Sequence, residues 1–425
     1  MKSIVETDDR VITSETSGTT RPIKVCQHIL REARNDVRSM RAATTFRNEG
    51  LAVSIIDVVE ASMQPVEEDI DGIHLKHIIL PDWQSSRRSE WLFLITALRT
   101  FFRSLILLLQ SGADIYHATE LNALPACCIA AVLRRKPLVY EAYELHIPYP
   151  ETTIAFWRRS AKLINRLLAM ILPRCAGVIA TTPFYAQEMQ KHFHLKEVTL
   201  VRNIPPFRNV PPNDRLRQYL ELSQQTRIAL YHGRLQRNRG LDTLVRAAKF
   251  LEKNNIIVLM GEGYGATQKE LEELIAREGV ADRVKFVPRT PLYEDLLNWV
   301  VSADIGLVLY TPSYSLAVKL ILPNKLFEYI MVGVPVLATQ LDAVEEIIKT
   351  YDVGQIVTSI EPEAIGAAIN AMLANDTALR RMGQNAIEAA KSDLNWEKES
   401  LQLVRLYEAI IVKLKGKRNA IRNKD

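Results

Sequence analysis

The chain has 425 residues, 48% hydrophobic and 24% charged, which excludes a disordered protein and exceeds what one ordinary core holds. Lys and Arg number 54 against 49 Asp and Glu, and a net charge of +5 is too small to argue for nucleic acid as a partner. Four cysteines (Cys26, Cys127, Cys128, Cys175) are scattered without a C-x-x-C pair, the pattern of buried thiols in a reducing compartment.

Residues 1–22 are polar and rich in Thr and Ser, with no apolar core, so they read as a disordered leader and not a secretory signal; the expected setting is cytoplasmic. Strand and helix patterns then alternate, as in parallel α/β domains. Strand "IKVCQ" is followed by a helix over Asp36 to Asn48, strand "AVSIIDV" and strand "GIHLKHIIL". The greasy stretch Trp91 to Gln110 is about long enough to span a bilayer, but Arg99 and Arg103 sit mid-segment, so an amphipathic helix is expected. Strand "DIYHA", a helix from Asn122 to Leu133, strand "LVYEA", a helix from Ile154 to Leu172, and strands "GVIAT" and "VTLVRN" complete the first series.

A Pro-rich break, "NIPPFRNVPPND", removes amide donors and stiffens the chain, so residues 205–214 read as a connector. A second series follows: "RIALYHG", helix "LDTLVRAAKFLE", "IIVLMG", a helix near Gln268 to Glu278, "VKFVP", helix "LYEDLLNWVVSA", "DIGLVLY", a helix from Asn324, and "VPVLAT". Two doubly wound α/β domains are therefore expected, at 23–204 and 215–391, with ligand chemistry at strand ends facing a cleft. Residues 392–425 form a helix, expected to pack back on the first domain, and a frayed basic tail.

Three segments of the second half carry candidate chemistry. In "YHGRLQRNRGLDTL", Gly233 permits close backbone approach, and Arg234 and Arg239 can converge on an anion through bidentate forks; two surface arginines in a polar loop is the competing reading. In "PNKLFEY", the free amides of Asn324, Lys325 and Leu326 open a helix and offer an anion site. On its wheel Leu326, Phe327, Ile330 and Met331 form an apolar arc with Glu328 outside it, where a carboxylate can accept both hydroxyls of a ribose or serve as an idle first-turn acid. "MGEGYG" places Gly261 and Glu262 at a strand end, a weak signal compatible with a plain turn. Arg289 and Tyr310, just past "VKFVP" and at the end of "DIGLVLY", join the set as strand-end residues.

Together, "GRLQRNRGLDTLVRA", "MGEGYG" and "PNKLFEYIMVGVPVLAT" resemble the C-terminal domain of retaining GT-B glycosyltransferases of the family 4 type. "REARNDVRSMRAATTFRNEGLAVSIIDVV" and "DIYHATELNALPACCIAAVLRRKPLVYEAYEL" resemble that family's N-terminal domain, so the likeness runs from Ile23 to the C-terminal helix. The resemblance implies a GT-B fold and a nucleotide-diphosphate-sugar donor, UDP- or GDP-linked, moved without a metal to a glycan or lipid-linked acceptor. Arg234 and Arg239 would hold the diphosphate as catalytic cations, and Glu328 the ribose. His117 stands where the family commonly has a cleft histidine, which implies a catalytic place beside Arg234, Arg239 and Glu328, with a satisfied core histidine as the competing reading; Asn35, Arg38, Thr119, Glu120, Tyr143, Glu144 and His146 fall on acceptor-side segments. "DID" at Asp69 to Asp71 matches the metal motif of the other glycosyltransferase fold but lies in an acidic loop and reads as a solvated charge run.

The chain also departs from the family pattern. The Glu usually found eight positions before the ribose-binding one is Leu320, beside Lys319, and Thr119 replaces the second His of a His-x-His. A GT-B protein that binds nucleotide or a partner without transfer, or a nucleotide-sugar epimerase, stays open on these grounds. From Thr152 to Gln187 there is no acid; Arg158, Lys162 and Arg166 repeat every fourth residue opposite Leu163, Leu167 and Ile171, with Arg159 adjoining. Such a helix suits the anionic inner face of the cell membrane, or simply buries its Leu face in the domain.

Overall fold

A computed structural model of the chain describes residues 21–60, 65–80, 90–145, 155–236, 239–263, 267–288 and 293–422. Two compact units emerge: unit 1 comprises residues 1–201 and 400–425, and unit 2 Arg202–Glu399.

Unit 1 holds an eight-stranded sheet of β1 (Lys24–His28), β2 (Ala52–Glu60), β3 (Glu67–Ile70), β4 (Ile73–Leu80), β5 (Ile115–Thr119), β6 (Leu138–Ala142), β7 (Gly177–Ala180) and β8 (Thr199–Leu200), in the order β3-β4-β2-β1-β5-β6-β7-β8. Every pairing is parallel except β3 with β4. β5 and β6 are buried along their whole length, which is why "IYHAT" and "LVYEA" read as apolar runs with few polar breaks. β3 was not foreseen: the acidic loop around "DID" pairs as a hairpin, because Asp71 and Gly72 both adopt positive φ and turn the chain. Asp69 is exposed and lies 3.2 Å from His74 Nδ1, consistent with a solvated charge run.

Unit 2 holds six parallel strands, β9 (Arg227–His232), β10 (Asn255–Met260), β11 (Val284–Val287), β12 (Ile305–Val308), β13 (Val336–Thr339) and β14 (Gly354–Val357), ordered β11-β10-β9-β12-β13-β14. The chain winds outward from β9 to β11, then crosses back to β12 and winds the other way. That reversal leaves a crevice beyond the C-terminal ends of β9 and β12. One apolar cluster, including Leu244, Ile257, Leu259, Leu307 and Ile369, fixes the strands beneath it.

The Pro-rich segment is not a bare connector. Asn203 Nδ2 donates to Asn324 Oδ1 (2.9 Å), Trp396 N to Pro205 O (3.0 Å) and Phe207 N to Glu397 Oε2 (3.1 Å), so the boundary moves from residue 205 to residue 202. The last helix, Trp396–Arg422, takes in most of the tail expected to fray. It packs on unit 1 through Tyr407, which is 1% exposed.

Candidate functional site

The unit 2 crevice is built first from backbone. Gly233 follows β9 with φ +115°, and Gly261 follows β10 with φ +150°. A Cβ on Gly261 would lie 2.0 Å from the Gly233 carbonyl oxygen, so only glycine lets these two strand ends approach. Gly240, at φ +69°, opens the helix Leu241–Ala247, and a Cβ there would stand 2.4 Å from the Leu309 carbonyl oxygen. Backbone is thus held close to the crevice from three sides.

Cations fill it. The Arg239 guanidinium bonds the Tyr310 hydroxyl and lies 4.7 Å from that ring's centroid, while its Nε has no hydrogen-bond partner among the described residues. Lys325 is 7% exposed; its Nζ stands 3.5 Å from the Tyr231 ring centroid and likewise lacks a partner. Burial pushes the Lys325 ammonium well below the usual lysine range; Arg239 adds to the shift and Glu328 opposes it. Arg234 is exposed. The aromatic cradle is itself pinned: Tyr231 donates to Arg234 O (2.8 Å) and Thr339 Oγ1 to Tyr310 O (2.6 Å).

Glu328 sits one turn into the helix Asn324–Met331, in which every residue from Lys325 onward is buried. It lies outside the apolar arc as the wheel expects, yet is 7% exposed, with Oε2 3.5 Å from His232 Nε2. Burial, with Lys325 nearby, drives His232 well below its ordinary pKa, so the folded state favours the neutral ring beside Glu328. Tyr329 anchors the helix by donating to Leu230 O (2.7 Å) and packing over Gly306, where a Cβ would meet its ring at 2.4 Å. Leu320 is buried, and Lys319 lies 3.6 Å from Asp342 instead of reaching toward Glu328.

The structure therefore brings together Gly233, Arg239, Gly261, Tyr310, Lys325 and Glu328. Glu262 is exposed beside them and offers its carbonyl to Leu235 N (3.0 Å); Arg289 lies outside the described residues. Sequence reasoning missed Tyr231, His232 and the Lys325 side chain. A cation three residues before a buried acid was the available signal for the last.

On unit 1 the expected set divides. Arg38 is 3% exposed and bonds Glu141 Oε1 through Nε (2.9 Å) and Nη2 (2.5 Å), and Val201 O (2.7 Å). His117 is fully buried, with Nε2 3.0 Å from Glu141 Oε2 and Nδ1 2.7 Å from the Tyr407 hydroxyl. Both ring nitrogens are engaged, so the geometry does not support the catalytic role expected of His117. Burial alone would raise the Glu141 carboxyl; Arg38 and His117 overcome it and hold it at about 2. Beyond β1 and β5, where this sheet reverses, a second group is more open. Arg31 pairs with Glu120, which adopts φ +67°, and Tyr143 donates to Asp36 Oδ1 (3.2 Å) and meets Ser39 Oγ (2.9 Å). Glu144 is exposed, Asn35 bonds Glu32 (2.8 Å), Thr119 is buried, and His146 lies outside the described residues.

Two family models match: "Glycosyltransferase Family 4" over residues 38–206 and "Glycosyl transferases group 1" over residues 212–389. The D-inositol 3-phosphate glycosyltransferase of Streptomyces avermitilis is 29% identical over 266 residues, 59% of this chain and 55% of that protein. The chain thus spans about half the length of that curated relative. Among solved structures, the sucrose-phosphate synthase of Thermosynechococcus elongatus superposes with a TM-score of 0.73 at 18% identity, covering 92% of this chain and all of that one. The Anabaena protein HepE in complex with UDP does so with a TM-score of 0.67 at 16% identity, covering 91% and 100%. The chain belongs to the group 1, family 4 glycosyltransferases and has their GT-B fold.

Proposed function

We propose that the protein transfers a sugar from a nucleotide-diphosphate donor, held by unit 2, to a hydroxyl of a glycan or lipid-linked acceptor presented by unit 1. One observation carries the reading: two buried cationic nitrogens, Arg239 Nε and Lys325 Nζ, lack hydrogen-bond partners among the described residues where the unit 2 sheet reverses. Unpaired buried cations are costly, and a diphosphate supplies the missing acceptors. In this reading exposed Arg234 adds a third positive charge, and Glu328 accepts the ribose hydroxyls.

In this reading the bond from the anomeric carbon to the diphosphate breaks, and its electron pair leaves on phosphate oxygen. Arg239 and Lys325 meet that charge already positioned, so little reorganisation accompanies bond cleavage. The acceptor oxygen attacks from the same face and its proton passes to the departing phosphate, retaining the anomeric configuration with no metal in the step. The HepE complex with UDP supports a UDP donor by likeness only, and GDP fits the same cations.

Mixing the protein with UDP- and GDP-sugars and an acceptor pool tests this: nucleoside diphosphate release with a product of unchanged anomeric configuration is expected. A second reading, nucleotide binding without transfer, is favoured by Leu320, which leaves the sugar without its usual carboxylate. Binding with no release under any acceptor would select it.

A further inference from the structure

The helix Glu90–Gln110 is built inside out. Its fully buried side chains are Thr100, Ser104 and Leu108, two of the three polar. Thr100 returns its hydroxyl to Thr96 O (2.8 Å), and Ser104 Oγ has no partner among the described residues. The outward stripe, at every fourth residue, is Leu98, Phe102 and Ile106, with exposures of 49%, 57% and 53%; the first turn shows Trp91 at 76%. A helix serving only its own core turns the opposite face outward.

Its neighbours continue the pattern. The helix Glu120–Arg134 lies against it, Arg134 donating to Leu109 O (2.6 Å), and exposes Val132 and Leu133 at 71% and 63%. On the helix Ala155–Ile171, Leu163 and Met170 are 61% and 59% exposed, so the Leu face is not buried in the domain. The connections β4 to β5, β5 to β6 and β6 to β7 all step the same way along the sheet, so right-handed crossovers place the three helices on one face of it.

Charge selects what covers this face. Arg99, Arg103, Arg134, Arg135, Lys162 and Arg166 are exposed on these helices and their ends, and no Asp or Glu occurs from Trp91 to Ala113, Leu121 to Tyr140, or Ala155 to Gln187. A second copy meeting it with the same face would set cation against cation, whereas anionic headgroups neutralise it and let the arginine stems lie along the apolar stripe. By length and composition Trp91–Gln110 suffices to cross a membrane. It is tied to the sheet instead: Tyr116 donates to Leu108 O (3.1 Å) and Arg103 to Ile79 O (3.3 Å). We propose that this face of unit 1 docks on a bilayer containing anionic lipid, with the helix Glu90–Gln110 lying in the membrane plane at the headgroup–acyl boundary. The helix Ala155–Ile171, singled out from sequence, is then a flank of the contact and not its centre.

The test uses the full chain with phosphatidylcholine vesicles, with and without phosphatidylglycerol. Co-sedimentation only with the anionic vesicles is expected, weakened about tenfold or more by Leu98→Glu with Phe102→Glu, and about fivefold per cation by Arg99→Gln and Arg166→Gln. All of these positions are exposed, so the variants should keep the wild-type Tm. Absence of co-sedimentation, or binding unchanged in the Leu98→Glu/Phe102→Glu variant, overturns the proposal. So does a dimer in ultracentrifugation that this variant dissolves while no vesicles bind, which assigns the face to a second copy. None of these readouts involves sugar transfer, so their failure is separate from failure of the proposed activity.

Discussion

The Lys325 ammonium stands 3.5 Å from the centroid of the Tyr231 ring, and no hydrogen-bond acceptor among the described residues reaches it. A cation kept this way weakens the fold it belongs to, unless a ligand completes it. Lys325→Met should therefore raise the unfolding free energy of the ligand-free protein by about 1–3 kcal/mol, a Tm gain of several degrees. The same change should abolish most of the Tm increase that UDP or GDP confers on the wild type. A lower Tm with unchanged nucleotide protection would contradict the role given to this side chain.

Gly261→Ala should be severely destabilising, by about 3 kcal/mol or more, since the added Cβ meets a backbone carbonyl and the residue holds φ +150°. Urea unfolding measures it. A loss below about 1 kcal/mol would mean the strand ends can part, and the crevice is less rigid than described.

Tyr407→Phe removes the partner of His117 Nδ1 and leaves a buried nitrogen unsatisfied, a loss of about 1–3 kcal/mol. The expected pattern is lower stability with kcat nearly unchanged. A large kcat effect at wild-type stability would restore a catalytic part for this network.

Acid should unfold unit 1 in two overlapping stages. Burial lowers His28 from 6.5 to about 4, partly offset by its bond to Ile56 O, so the folded state prefers the neutral ring. That stability is complete above pH 6.5 and is lost as pH falls through 4. Glu141, held at about 2 against 4.5, contributes stability complete above pH 4.5 that is lost toward pH 2. Each shift corresponds to roughly 3 kcal/mol. His28→Gln should flatten the upper stage of a stability–pH curve, and an unchanged curve from pH 6.5 to 4 would refute the assignment.

Much of this was legible in the chain because parallel, doubly buried strands leave continuous apolar runs such as "IIVLM", and glycines mark where such strands end. Glu328 and Arg239 are legible as candidates because their residue types at helix and loop starts suit a nucleotide. What escaped notice depends on distance. His117 reads as a strand-end histidine until Tyr407, 290 residues onward, closes over it. From the sequence Lys325 offers only its amide, because nothing local shows that the side chain turns inward over Tyr231. The apolar content of Trp91 to Gln110 was plain, but which side faces the sheet is decided by Thr100 and Ser104 packing inward, against their polarity.

Calorimetric titration of UDP and GDP into the wild type, Arg239→Ala and Glu328→Ala tests the nucleotide site most directly. Saturable binding of at least one nucleotide is expected, weakened roughly tenfold to a hundredfold in each variant. Absence of binding to the wild type, or equal affinity in all three proteins, would contradict it.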